Sequence, residues 1–249
     1  MTSPKISRVG VIACEIFFRE VSYYTAASRA VCDVVWLPKG LHDRGGDAMR
    51  AVIQQEVNRM HEREHDRIVL AYGLCNNGIT GLTTSKIPLV VPRAHDCITL
   101  FLGSRKAYHE FFHANPGTYF HTAGWIERGA PEKQYFDAQL GPGQTKQDYI
   151  EKYGEENGSY LWEMLDPRKN YHRIAYINVP IPGIPDAKEM SRRTAEELGG
   201  WEWIETKGST GLFERLLDGP YDDDFIIINP GETVISTHDE KILGAKKTC

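Results

Sequence analysis

"DRIVLAYGLCNNGIT", residues 66–80, decides how this chain folds. Ile68–Ala71 is a short, unbroken apolar run. It passes without polar alternation into a turn holding Gly73, Cys75, Asn76, Asn77 and Gly78. A continuous apolar run fits a strand covered on both faces, as in a parallel sheet. A Gly-rich turn after such a strand lies where open α/β sheets bind ligands, at the carboxyl edge. Two further runs end the same way. "RVGVIAC" (8–14) stops at Cys14, and "IPLVVPRAHDC" (87–97) stops at His95, Asp96 and Cys97.

Working outward, strands are expected at 8–14, 32–38, 66–71, 87–91 and 118–127. Helices are expected at 45–64, where Ala48, Val52, Ile53, Val57 and Met60 form one stripe, and at 98–115, ending before Pro116-Gly117. Residues 128–170 are polar and aromatic, with a helix expected from Thr145 to about Leu165. Strand–helix alternation then resumes. "YHRIAYINV" is a strand, and a helix follows, capped by Asp186 and closed at Gly199. "WEWIET", "STGLFERLLDG" and "DFIIIN" continue the alternation, and "KILGAKKTC" forms a tail. The expected fold class is α/β: a parallel-sheet, Rossmann/flavodoxin-like architecture of two halves with a helical insert. Its parts are 1–127 with the cysteine–histidine cluster, 128–170 as insert, and 171–249 as second half and tail.

Composition excludes several function classes. The 249 residues carry a net charge of −5 with both signs scattered, so no basic block invites nucleic acid. No apolar run reaches the ~18 residues a membrane span needs, and the N-terminus lacks a signal-peptide pattern. A cytoplasmic protein is expected. Five cysteines, at 14, 32, 75, 97 and 249, are an odd number without close pairing. In a reducing compartment they read as packing, ligands or catalysts rather than disulfides.

With strand order 2-1-3-4 in the first half, Cys14, Cys75, His95 and Cys97 converge on one patch. Thiolate with imidazole is a ligand set for zinc or another divalent transition metal. Cys75, His95 and Cys97 are the preferred ligands, with Cys14 as a fourth ligand or a nearby thiol. Glu15, Asp96 and Asn76 are the candidates for proton transfer and polar contact. Each cysteine taken singly reads more readily as buried packing; their coincidence at three strand ends favours a site. Cys32 reads as core and Cys249 as inert. His61 and His65, at a helix end, read as solvated caps.

Arg93 precedes the His-Asp-Cys turn and could hold a carboxylate or phosphate. Gly208, Ser209 and Thr210 open a helix, where free N–H groups favour an anion, although a plain Ser/Thr cap is the simpler reading. Asn229 and Glu232 flank the turn after the last strand. These residues are expected to close over the cysteine patch and bind the unreacting part of a small-molecule substrate. Residues 128–165 are expected to form a lid or a contact in a homo-oligomer.

"YGLCNNGITGL", "PLVVPRAHDCITLFLGSR" and "NPGTYFHTAGWIE" together resemble the domain-of-unknown-function family numbered 1638. The resemblance runs from "VIACE" to "DFIIINPGE", and Cys14, Cys75, His95 and Cys97 fall on its motifs. It implies an association with corrinoid-dependent methyl transfer, hence a corrinoid protein as a possible partner. "VLAYGLCNNG" also resembles the strand–cysteine element of aspartate/glutamate racemases, which use paired thiols as acid and base. Here Asn-Asn replaces Asn-Thr, Tyr-Gly-Leu is added, and the second half has no matching cysteine before its tail. The leading expectation is a metal-dependent methyl or alkyl transferase acting on a thiol, as its His-x-Cys site resembles those of zinc thiol methyltransferases. The alternatives are a metal-assisted hydrolase, a racemase-like thiol enzyme, and a non-enzymatic metal- or corrinoid-handling partner.

Overall fold

The computed structural model describes residues 6–129, 146–237 and 239–248. By its contacts the chain forms two units. One comprises Met1–His113, Val179–Ile184 and Lys207–Cys249, the other Ala114–Asn178 and Pro185–Thr206.

The first unit is built on β1 (Arg8–Cys14), β2 (Val31–Leu37), β3 (Arg67–Ala71) and β4 (Leu89–Pro92). Their order is β2-β1-β3-β4, and every neighbouring pair is parallel. This is the order the sequence led us to expect. The chain passes from β1 through α1 (Phe18–Ala27) to β2 and back past β1 through α2 (Gly46–Met60) to β3; by the right-handed crossover rule, such opposite travel sets the two helices on opposite faces. α2 buries Met49, Ile53, Val57 and Met60. Gly10 of β1 lies so close to Met60 that a methyl group there would stand 2.8 Å from its sulfur. A trio of rings, Phe17, Phe101 and Phe213, packs with centroids 4.9 to 5.9 Å apart. Because both faces are covered, β1, β3 and β4 are almost wholly buried.

The sheet departs from expectation at its edge. Phe225–Ile228, β8 in chain order, joins β4 in antiparallel register, with Pro92 opposite Phe225 and Leu89 opposite Ile228. A strand from the last part of the chain thus completes the first sheet. The tail is also structured: Glu232–Ser236 (β9) and Leu243–Lys247 (β10) pair as an antiparallel hairpin. The run 98–115 is two helices, α3 (Cys97–Leu102) and α4 (Arg105–Ala114), broken at Gly103, whose φ of 86° ends the first. His65 is no solvated cap. It is buried, with Nε2 2.8 Å from Asp33 and Nδ1 3.1 Å from the Met60 carbonyl.

The second unit holds a sheet in the order β5-β6-β7: Thr118–His121, Arg173–Asn178 and Glu202–Lys207. The expected strand 118–127 stops at His121 because Thr122 caps a short helix, α5 (Ala123–Glu127), by accepting the Trp125 N–H. The expected insert helix is two helices, α6 (Lys146–Tyr153) and α7 (Glu155–Leu165), separated at Gly154 with φ 82°. Residues 130–145 of that insert, with Cys249, lie outside the described residues. Tyr119, Ile174 and Ala195 form this unit's core, with Trp125, Tyr171, Trp201 and Trp203 packed against it. No helix among the described residues is long and apolar enough to cross a membrane.

Candidate functional site

Parallel register brings three strand ends to one edge. Ala13 pairs with Ala71, so Cys14 and Tyr72 follow side by side. The chain beyond β3 stays bonded to the chain beyond β4, with Leu74 N–H donating to the Ala94 carbonyl and Cys75 N–H to that of His95. Gly73 permits this approach. A Cβ there would stand 2.6 to 2.8 Å from the Asp96 backbone, closer than such atoms can come. The Cys75 sulfur in turn accepts from the N–H groups of Gly73 and Cys97. Cys14, Cys75 and Cys97 are therefore one patch, each within reach of another's charge. All three are free thiols, as is Cys32. Cys32 stands opposite Val9, near the other end of the sheet.

The backbone of Cys75, Asn76 and Asn77 is left-handed at three successive residues, with φ of 41°, 55° and 62°. Each L-residue so held costs about 1–2 kcal/mol, less for asparagine. Such strain persists only where surrounding contacts fix it, and it gathers at functional sites. Here Gly78 N–H donates to the Leu74 and Cys75 carbonyls and locks the turn. Asn76 is exposed, so substituting it reports on backbone alone. Asn76→Ala is expected to lower stability by about 1 kcal/mol and Asn76→Gly to leave it near wild type. Urea titration of both variants checks this, and equal midpoints would remove the strain argument.

Burial sets the titration of the patch. It pushes the Cys14 thiol up to about 11. Burial first, and then the charges of Asp96 and Cys14, pushes Cys75 to about 12. Burial, with Asp96, Cys75 and Cys14, holds Cys97 well above its ordinary value. Cys75, Asp96 and Cys97 keep some accessible surface, yet protein is dense enough around them that desolvation dominates. The Asp96 carboxyl is likewise raised by burial, against hydrogen bonds from Tyr108 and the N–H groups of Ile98 and Thr99. Asp96 caps α3, accepting the Ile98 N–H at 2.9 Å, and takes the Tyr108 hydroxyl at 3.1 Å.

Two buried hydroxyls that sequence reasoning missed lack partners, one beside Cys14 and one on the wall of a neighbouring cavity. Tyr72 is buried and has no regular hydrogen-bond partner; beside it is the Cys14 sulfur, a weak acceptor. The buried Thr99 hydroxyl, two residues beyond Cys97, has no partner either. Buried polar atoms without partners are few in native proteins and call for an explanation such as a bound group. Tyr72 stood inside the quoted turn but read as the last core residue of its strand. Next to the patch, His95, Thr99, Tyr108, His109, Phe112 and His113 border a cavity of about 930 Å³. His95 itself is exposed on that wall, its ring 6.1 Å from that of Tyr108.

Of the other candidates, Glu15 stays beside the patch, where its charge adds to the burial that raises the Cys14 and Tyr72 groups; the rest have partners of their own. Glu15 accepts the Lys39 N–H at 2.7 Å, tying down the chain after β2. Arg93 spends its guanidinium on the carbonyls of Phe225, Lys241 and Leu243, which anchors the C-terminal hairpin rather than an anion. Ser209 N–H donates to the Phe101 carbonyl, and the Ser209 side chain fills the space left by Gly103. Thr210 accepts from the Tyr24 hydroxyl at 2.7 Å. Gly208–Thr210 is thus docked on the end of α3 ahead of the helix Gly211–Asp218. Asn229 and Glu232 close their own turn, Nδ2 of Asn229 lying 3.1 Å from the Glu232 carboxylate. Since β8 runs antiparallel to β4, Ile228 lies opposite Leu89 at the start of β4. The Asn229–Glu232 turn therefore sits at the opposite edge from Cys97, and the expectation that it closes over the cysteines is corrected.

The donor set suits a soft or borderline metal, but its arrangement does not suit one ion. Among the described residues, no three His, Cys, Asp or Glu side chains converge so as to hold an ion. No curated protein and no solved structure matches the chain. A family model does match, over residues 36–217, a span that includes Cys75, His95 and Cys97, and the chain belongs to that family, described as "Protein of unknown function (DUF1638)".

Proposed function

We propose that this chain is an enzyme whose reaction centre is the Cys14–Cys75–Cys97 patch, transferring a methyl or other alkyl group to or from a thiol with help from a thiophilic metal. The observation that carries this reading is the meeting of three thiols from three parallel strand ends around an unpartnered, buried Tyr72 hydroxyl. Ligands of α/β proteins gather at this edge, and the reading takes the four parallel strands as a Rossmann/flavodoxin-like core. Without a cation the thiols are neutral, since burial and neighbouring negative charge oppose their ionisation. A cation would have to draw the sulfurs closer together to bind there, and it would then supply thiolate at neutral pH.

The chain's own residues supply the rest. Asp96, raised by burial, accepts the hydroxyl of Tyr108, which lines the cavity, and can take or return a proton through it. Tyr72 offers its proton to a group bound beside Cys14. The cavity's size lies within the range of small-molecule sites. A reducing, cytoplasmic setting suits four free cysteines.

A second reading has one observation in its favour. Neutral thiols raised to about 11 and 12 could act as proton donors without metal, as in the racemase-like scheme. One experiment separates the two. Protein purified without chelator or nickel resin is supplied with methylcobalamin and a panel of small thiols, and methylated product is measured by mass spectrometry. Metal-dependent transfer that Cys75→Ser abolishes is the expected result. Metal-loaded protein that methylates none of the thiols would overturn the transfer reading.

A further inference from the structure

Two of the three thiols are singled out by the way the segments after β3 and β4 hold each other. Residues 73–75 run alongside residues 94–97. Gly73 stands against the Asp96 backbone, which a Cβ there would approach to 2.6 Å. Cys75 N–H donates to the His95 carbonyl at 2.9 Å, and Cys97 N–H donates back onto the Cys75 sulfur. The Cys75 sulfur is thereby held at the Cys97 amide nitrogen, one bond from the carbon that carries the Cys97 side chain. Of its two sulfur neighbours, Cys75 acts on Cys97 more strongly than Cys14 does. The same pair is the accessible one. Cys75 and Cys97 keep some surface, whereas Cys14 is 6% exposed and has the Tyr72 hydroxyl on its sulfur.

We infer that Cys75 and Cys97 are a redox pair that closes reversibly to a disulfide by exchange with low-molecular-weight disulfides such as oxidised glutathione. Both are free thiols here. The bond brings two sulfurs to about 2.05 Å and adds no atoms, so it asks for no space beyond the sulfurs themselves. That suits a patch whose cysteines do not line the neighbouring cavity. One protein thiol gives up its proton and attacks a sulfur of the small disulfide. A mixed disulfide forms, and one small thiolate leaves and takes up a proton. The second protein thiol gives up its proton and attacks the protein sulfur of that mixed disulfide, releasing the second small thiolate. The pair loses two electrons and two protons, and the small disulfide departs as two thiols. Asp96, whose charge reaches both Cys75 and Cys97, is the base at hand. A disulfide carries no charge, so the burial that opposes thiolates does not oppose the bond. The linked chain has lost two thiols of the patch and is a resting form for thiol chemistry at this edge. Transient bonds of this kind are the ones that reducing compartments allow. The inference stands apart from the methyl-transfer reading and needs no metal.

The test uses the full chain, reduced and freed of metal, then held at about pH 8 with equal concentrations of reduced and oxidised glutathione until its composition is constant. Free thiols are blocked at low pH, and tryptic peptides are read by mass spectrometry without reduction. Cys14, Cys75 and Cys97 fall in three different peptides, ending at Arg19, Lys86 and Arg105, so the link is read directly. Most chains should lose two hydrogens and carry a Cys75–Cys97 link that dithiothreitol removes. Cys14→Ser and Cys32→Ser should keep the link. Cys75→Ser and Cys97→Ser should lose it and trap glutathione on the remaining thiol of the pair, which a merely structural role would not do. Far-ultraviolet circular dichroism guards against variants that fail to fold, and the wild-type link stands without them. Glutathione on Cys75 or Cys97 of the wild-type chain with no link between them overturns the pair. So does a link through Cys14, or folded wild-type chain that stays fully reduced. Each of these results leaves the methyl-transfer reading to its own assay, which uses reduced protein.

Discussion

In the metal-free, folded chain, Cys14 and Cys75 should be alkylated by iodoacetamide at pH 8 about 10-fold and about 50-fold more slowly than in the unfolded chain. The attacking species is the thiolate. Raising a thiol from 9.0 to about 11, as at Cys14, cuts its thiolate fraction at pH 8 roughly 100-fold; the rise to about 12 at Cys75 cuts it roughly 1,000-fold. A more basic thiolate is a better nucleophile, and this returns about 8-fold and about 20-fold of the loss. Limited access at Cys14, 6% exposed, slows it further. The pH profile carries the sign. In the unfolded chain the rate should level off above pH 9, whereas folded Cys14 should keep accelerating through about pH 11. Stability moves with it. The unfolded thiols lose their protons first, so alkaline pH favours unfolding progressively from pH 9 upward. Per-residue mass spectrometry of chelator-treated protein measures these rates. Equal rates in folded and unfolded chains would mean that the patch is neither desolvated nor coupled.

That patch was legible in the sequence because parallel-sheet grammar is local. Each apolar run ends where its strand ends, and parallel crossovers send every such end to one edge. Cys14, Cys75 and Cys97 could therefore be placed together without coordinates. The reverse holds for Asn229 and Glu232. Their strand, "FIII", is as apolar as β3 and carries no mark of direction. Only its pairing with β4 turns it antiparallel and sends its end to the other edge. Helix breaks at Gly103 and Gly154 were hidden because apolar periodicity continues through them; the positive φ at Gly103 goes with close packing against Ser209, whereas Gly154 has open space around it. Arg93 looked like an anion ligand because an arginine beside a functional turn has that chemistry. The carbonyls that occupy it come from Phe225 at the start of β8, 132 positions away, and from Lys241 and Leu243, 148 and 150 positions away, in a segment that read as tail. Tyr72 was missed for a different reason: a tyrosine closing an apolar run reads as core, and only its unpartnered hydroxyl separates the two roles.

Gly73→Ala should open the patch. At this position the chain beyond β3 crosses the His-Asp-Cys turn, and an added methyl group would lie 2.6 Å from Cα, 2.7 Å from C and 2.8 Å from N of Asp96. These are backbone atoms, so no rotamer change relieves the contact. One of the two segments must move, and both hold a thiol of the patch. Overpacking of this kind costs about 1–3 kcal/mol, sometimes more. It should also separate Cys75 from the Cys97 N–H and loosen the hydrogen bonds from Leu74 and Cys75 to Ala94 and His95. The substitution therefore predicts two linked changes: a lower urea midpoint, and alkylation of Cys75 and Cys97 that speeds up toward the unfolded rate while Cys32 stays as it was. Gly40→Ala is the control. Its nearest neighbour would be 3.7 Å away, an ordinary contact, and neither change should follow. A drop in midpoint with unchanged thiol rates would show that the strain is absorbed elsewhere and that Gly73 does not hold the thiols together. An unchanged midpoint would show that the crossing is looser than 2.6 Å implies, and with it the packing that gathers the three cysteines.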